Sequence, residues 1–132
     1  MSWPSNDWAS RRRGGVINVH TISGTASAGA QNQVTLVGVA GQMMYLRRAV
    51  ITSGAVAAVV SGTVQISNVA TDDSNPLNFI FTETVSAGGW LDLNFTEDEV
   101  LQASALGGSI VVTLPAIGGG ASSAISLVGW ST

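Results

Sequence analysis

The chain has 132 residues, no cysteine and a formal net charge of −3, and only 10% of its residues are charged, against a usual ~25%. This length fits one domain with a self-sufficient core, and the lack of cysteine excludes disulfides and thiolate metal sites. The sequence contains no apolar run of about 18 residues, so it predicts no membrane span, and the first residues do not resemble a signal peptide. The sequence therefore predicts a protein made and used without secretion, with part of its weakly charged surface buried against other subunits.

Residues 1–14 are predicted to form an extended N-terminal arm, because proline and polar residues interrupt any strand or helix pattern. Three arginines and one aspartate give the arm a charge of +2, whereas two arginines and seven acids leave −5 on the remainder. Tryptophan and arginine are the residues enriched at binding hot spots, so the arm is the candidate docking segment. The alternative is that its tryptophans fold back onto their own domain. The candidate docking residues are Trp3, Trp8, Arg11, Arg12 and Arg13.

Residues 15–132 are predicted to form a single all-β domain. Short runs of β-branched and aromatic residues alternate with Gly, Ser and Asn turns, and no helical period is present. Connections of mixed length favour a jelly-roll-like antiparallel β-sandwich of about eight strands over a simple meander. The predicted strands are 16–23, 33–39, 43–52, 56–69, 77–85, 89–96, 99–104, 109–116 and 124–130.

Two adjacent arginines, Arg47 and Arg48, lie within the third predicted strand. Neighbours on a strand point to opposite faces, so the inward one needs a carboxylate, a backbone carbonyl or a subunit boundary. Glu83 and Asp92 are the candidate carboxylates. The alternative is that both arginines lie at the frayed edge of a sheet.

Groups for catalysis or metal binding are not indicated. His20 is the only histidine and is predicted to be an ordinary strand residue. The acids Asp72 and Asp73 lack the glycine and distal glutamate of a calcium loop, and the acids at 97–99 are expected to form a solvated turn. We therefore predict a non-enzymatic protein with no cofactor.

The segment GGWLDLNF alternates so that its leucines and phenylalanine face a core. Trp90, Asp92 and Asn94 then share the outward face. An exposed aromatic ring beside polar groups is what a sugar site requires, so these three residues are the candidate glycan contacts.

Four segments resemble small jelly-roll structural proteins of tailed bacteriophages. They are VAGQMMYLRRAVIT (39–52), SGTVQIS (61–67), GGWLDLNF (88–95), and LQASALGGSIVVTLPAI with the closing SLVGW (101–130). The resemblance covers roughly residues 33–130 and is a pattern of hydrophobicity and turns rather than a catalytic signature.

The resemblance implies a non-enzymatic virion component, made in the host cytoplasm and placed on the capsid surface. The first expectation is a capsid decoration (cement) protein that forms a homotrimer and binds the major capsid protein through its N-terminal arm. The alternative is a receptor- or glycan-binding module of a head or tail fibre. Neither membrane nor nucleic acid is expected as a partner, because three arginines are a short run and the acidic domain would oppose docking on phosphate.

Overall fold

The computed structural model describes residues 17–73, 75–96, 98–117 and 120–132, and the regular structure within them is entirely β. Each predicted strand overlaps an observed strand, so the all-β prediction is confirmed. None of the described residues belongs to a helix long and apolar enough to cross a membrane. The strands are β1 (Asn18–Ala26), β2 (Asn32–Leu36), β3 (Met44–Ser53), β4 (Val60–Ser67), β5 (Leu77–Glu83), β6 (Gly89–Asn94), β7 (Leu101–Gln102), β8 (Ile110–Leu114) and β9 (Ser123–Ser131).

The strands form two antiparallel sheets. Sheet 1 has the order β1-β9-β3-β6, with the short β7 also paired to β3, and sheet 2 has the order β2-β8-β4-β5. The pairs β1–β9, β2–β8, β3–β6 and β4–β5 are nested, as in one long hairpin. Additional pairing of β9 with β3 and of β8 with β4 rolls that hairpin into two layers. This is the jelly-roll arrangement, and the predicted jelly-roll-like sandwich is confirmed.

The core lies between the two sheets and consists of aliphatic residues with one fully buried phenylalanine. Burial alternates along the central strands, as expected for strands with one face on a core. Each such side chain stabilises the fold by about 1.5–3 kcal/mol when it leaves water. Its fully buried larger members are Leu36, Met44, Leu46, Ile51, Val64, Ile66, Phe81, Ile110, Leu114, Ile125 and Leu127.

A β-bulge interrupts β3 where it crosses β9. Leu46 lies opposite Gly129 and Arg48 lies opposite Val128, so Arg47 is the extra residue. A Cβ atom at Gly129 would overlap the carbonyl oxygen of Tyr45 and lie only 2.6 Å from Cδ2 of Leu36. A residue without a side chain is therefore required on β9 at this point for the sheet to pass over the bulge.

Candidate functional site: two uncharged surfaces

The outer face of sheet 1 is open and sparsely charged. Three of its side chains are apolar and exposed: Val19 by 72%, Trp90 by 68% and Val128 by 36%. Apart from the arginines of β3, the central strands carry uncharged residues between them, such as Thr52 on β3 and Ser126 on β9. Such a face resembles the centre of a protein interface more than the charged surface of an isolated domain.

An aromatic stack occupies one corner of this face. Tyr45 on β3 and Trp130 on β9 are cross-strand neighbours, and their ring centroids lie 4.1 Å apart with 21° between the ring planes. Both side chains are half-buried. Trp130 therefore packs within its own sheet, whereas Trp90, on the edge strand β6, exposes its ring to solvent.

An ion pair lies in the middle of the same face. Arg48 donates from Nε to Oδ1 of Asp92 at 2.9 Å and from Nη2 to Oδ2 at 2.7 Å. These hydrogen bonds, more than the attraction between the charges, lower the pKa of Asp92 below its ordinary value and raise the pKa of Arg48. Asp92 is thus an arginine partner, but of the exposed Arg48 on the outer face, whereas the prediction concerned the arginine that points inward. Because the two charges cancel, the pair adds no net charge to the face.

Arg47 has a different kind of partner. Its Nε donates to the carbonyl oxygen of Phe95 at 2.8 Å, and the Phe95 amide donates back to the Arg47 carbonyl at 2.8 Å. The bulge makes this contact geometrically available at the end of β6. The prediction of Glu83 as an arginine partner was wrong, because Glu83 is buried on β5 of the other sheet. The frayed-edge alternative was also wrong, since β3 is an interior strand.

The four loops at one end of the sandwich carry no charged residue, and we call this the neutral end. The loops are residues 27–31, 54–59, 84–88 and 115–122. Backbone hydrogen bonds of 3.1–3.2 Å link them, from Gly29 to Ala121, from Gly54 to Ser122 and from Val56 to Thr84. Val59 and Val85 are exposed here by 61% and 53%. The neutral end is thus a second uncharged surface with apolar side chains in solvent.

The opposite end, which we call the acidic end, holds the charged connections. Asp72 and Asp73 lie in the β4–β5 loop, and Asp98 and Glu99 lie in the connection from β6 to β7. A hydrogen bond of 2.8 Å from the Ala70 amide to the carbonyl of Gln102 packs these connections together. β1 begins at this end, so the chain enters the sandwich beside its acidic loops.

A hydrogen-bonded network joins the first strand, β1, to the last strand, β9, and it includes a serine–histidine contact. The Ser131 hydroxyl donates to Oε1 of Gln42 at 2.6 Å, and its single proton is thereby used. His20 Nε2, 2.8 Å from Ser131 Oγ, is then the donor of that hydrogen bond. A serine nucleophile needs the histidine to accept its proton, and Ser131 is also fully buried. His20 is a strand residue, as predicted, and it tethers β1 to β9.

The outward face of β6 is arranged as its alternation predicts. Trp90, Asp92 and Asn94 point away from the core, but both carboxylate oxygens of Asp92 already accept hydrogen bonds from Arg48. The predicted docking residues Trp3, Trp8, Arg11, Arg12 and Arg13 lie outside the described residues, as does the predicted boundary between arm and domain. Their role stays a prediction.

Comparisons with known proteins give one similarity of fold. No family model matches the chain, and no curated protein matches it. A cryo-EM structure of a virus-like particle of giant freshwater prawn Macrobrachium rosenbergii extra small virus is similar over 87% of this chain and 79% of that chain. The sequence identity is 7% and the TM-score is 0.45. At this level the similarity carries no functional argument, and the jelly-roll assignment rests on strand order and register in this chain.

Proposed function

We propose that this chain is a non-enzymatic structural protein of a bacteriophage virion, where it acts as a capsid decoration (cement) protein. The observation that supports this most is the presence of two surfaces without net charge, the outer face of sheet 1 and the neutral end. Both expose large apolar side chains on a chain with only 10% charged residues. Burial of such surfaces against other subunits is the arrangement in which they are stable in water.

Assembly as a homotrimer uses the outer face of sheet 1 in this proposal. Four strands of six to ten residues, spaced ~4.8 Å apart with a rise of ~3.3 Å per residue, give a face of roughly 500 Å². A stable interface buries about 800 Å² on each partner. The face is therefore large enough to form the centre of a subunit contact, and in this proposal neighbouring parts of the sandwich supply the rest of the area.

Residues 1–14 bind the major capsid protein on the capsid surface in this proposal. The arm carries +2 and joins a domain that carries −5, so the two parts suit different partners. Two tryptophans give the arm the apolar anchors that such a contact requires. The protein is made in the host cytoplasm and acts on the virion.

Two contacts among the described side chains bear on the proposed non-enzymatic role. The Ser131 hydroxyl donates its proton to Gln42 and not to His20, so the histidine cannot activate it as a nucleophile. Both carboxylate oxygens of Asp92 accept hydrogen bonds from Arg48.

Co-sedimentation with expanded phage capsids tests the docking proposal. We expect the full-length protein to pellet with capsids, and a variant lacking residues 1–14 to stay in the supernatant with an unchanged β-sheet circular dichroism spectrum. A full-length variant with Arg11, Arg12 and Arg13 changed to glutamine separates charge from length. The matched control changes Asp72 and Asp73 to asparagine, which removes two exposed charges from the domain. Binding by the truncated protein at full-length levels would contradict the proposal.

Light scattering of the free protein tests the oligomeric state. One full-length chain has a mass of 13.4 kDa. We expect three times the mass of the corresponding single chain both with and without residues 1–14, because the sandwich supplies the subunit contact. A charge placed on the outer face, as in Val128→Glu, is expected to give monomers. A monomer for the unaltered chain at all concentrations would reject the homotrimer.

A glycan-binding module of a head or tail fibre is the second candidate, and Trp90 is the observation that favours it. Its ring is 68% exposed, with Asn94 further along the same face. We expect glycan-array signals that disappear in Trp90→Ala and persist in Val85→Ala, which alters another exposed apolar residue. An array without signal for the unaltered protein would reject this candidate.

A further inference from the structure

Glu83 is a carboxylate buried at the neutral end of the core. It is the last residue of β5, points inward and is only 2% exposed. Among the described residues its Oε1 atom has no hydrogen-bond partner, and neither has the buried hydroxyl of Ser53. Glu83 and Ser123 line a common cavity of about 10 Å³. Glu83 is thus an almost completely buried side chain that lines a small cavity, and one of its oxygens is unpaired among the described residues.

No described positive charge is placed to neutralise this carboxylate. The chain contains no lysine, and the neutral end has no charged residue in its loops. Arg47 and Arg48 are engaged by Phe95 and Asp92. They lie five or six residues before the end of β3, which places them roughly 17–20 Å from the neutral end. A buried carboxylate without a cation is strongly unfavourable, so the environment of Glu83 calls for a positive partner.

We propose that the cavity binds one monovalent cation of sodium size, held by the Glu83 carboxylate and the Ser123 hydroxyl. A cavity of about 10 Å³ accepts roughly one water-sized sphere, which fits a single small ion. The donors are hard oxygen atoms, which suit alkali and alkaline-earth ions rather than zinc or copper. One carboxylate balances one positive charge, whereas a calcium ion would leave one positive charge unbalanced.

Thermal unfolding of the full-length protein in two salts tests the site. Sodium chloride is compared with N-methylglucamine chloride at equal ionic strength, so that screening is the same and only the small cation differs. If sodium binds the folded state alone, a tenfold rise in its concentration above Kd lowers the unfolding equilibrium constant about tenfold. We expect this response in the unaltered protein and broadening of the ²³Na resonance at the same concentrations.

Matched variants locate the ion. Glu83→Gln keeps the size of the side chain and removes its charge, so the sodium response is expected to disappear. Ser123→Ala keeps the charge of Glu83 and removes one oxygen ligand, so the sodium response is expected to weaken. Glu99→Gln removes an exposed acid from the acidic end and is expected to respond like the unaltered protein.

Three results overturn the proposal. Identical unfolding in the two salts would show that no sodium ion binds the folded protein. A full sodium response in Glu83→Gln would place the ion elsewhere. Stronger stabilisation by calcium than by sodium at the same concentration would exclude a monovalent site. The comparison of salts on the unaltered chain tests sodium binding even if the Glu83 variant does not fold. None of these outcomes depends on whether the protein decorates a capsid.

Discussion

The substitution Gly129→Ala tests whether the bulge in β3 depends on a glycine in the neighbouring strand. The new Cβ would overlap the Tyr45 carbonyl and lie 2.6 Å from Cδ2 of Leu36, where apolar atoms normally stay about 3.5–4 Å apart. Tyr45 and Leu36 belong to different sheets, so relief for one contact cannot relieve the other. Overpacking of this kind costs about 1–3 kcal/mol and more when the backbone is in the way. We therefore expect a loss of about 3 kcal/mol of unfolding free energy, which lowers Tm by about 10 °C.

Gly54→Ala is the matched control for this substitution. A Cβ atom at Gly54 would meet only Ala121 Cβ at 3.9 Å, an ordinary contact. The change is expected to stay within about 1 kcal/mol of the unaltered protein and to be stabilising, because alanine reduces the freedom of the unfolded chain. Urea denaturation with a common slope gives both values. Equal effects of the two substitutions would refute the argument from the bulge.

Two further predictions concern the outer face of sheet 1. The pKa of Asp92 is lowered by Arg48, so the stabilisation from this pair is present above the unfolded pKa of about 3.9 and is lost as the pH falls through the folded value. In low salt the unfolding free energy should therefore fall less between pH 6 and pH 2 in Asp92→Asn than in the unaltered protein. An identical pH profile for the two proteins would contradict a stabilising ion pair. Trp130→Ala is expected to cost about 2–3 kcal/mol in urea denaturation because the stack on Tyr45 disappears. Trp90→Ala should cost less than about 0.5 kcal/mol, and the opposite order would mean that Trp90 is a structural residue.

The strands were predictable because alternation is a local property of the sequence. The largest error was at β4, predicted as 56–69 and observed as Val60–Ser67. Residues 56–59 are apolar and extend the pattern, yet they belong to a loop of the neutral end with Val59 in solvent. A rule that assigns apolar residues to strands fails where a loop is itself apolar, and that failure coincides with a candidate docking surface.

The contacts between distant strands were less predictable. Asp92 was predicted as a carboxylate for the inward arginine, and it pairs instead with the exposed Arg48 on the outer face. The bulge at Arg47 was missed, since it is fitted to Gly129, which lies far away in sequence and adjacent only in the folded sheet. Glu83 was assigned to an arginine from charge alone. Burial on the opposite sheet separates it from both arginines of the domain.

The separation of charge between the two ends follows from the fold acting on a simple sequence pattern. Each reversal between antiparallel strands moves the chain to the other end of the sandwich. β6 and β7 both run antiparallel to β3, so the connection between them makes no reversal, and the loop 115–122 returns to the end that holds 27–31, 54–59 and 84–88. The described loop acids lie at 72–73 and 98–99, on connections towards the opposite end. Sequence composition alone averages the two sets into a mildly acidic domain. Once the strand order is known, the same residues give one end that repels a like-charged neighbour and another that offers no charge to oppose close contact. The neutral end is therefore where a second subunit can approach at the lowest electrostatic cost.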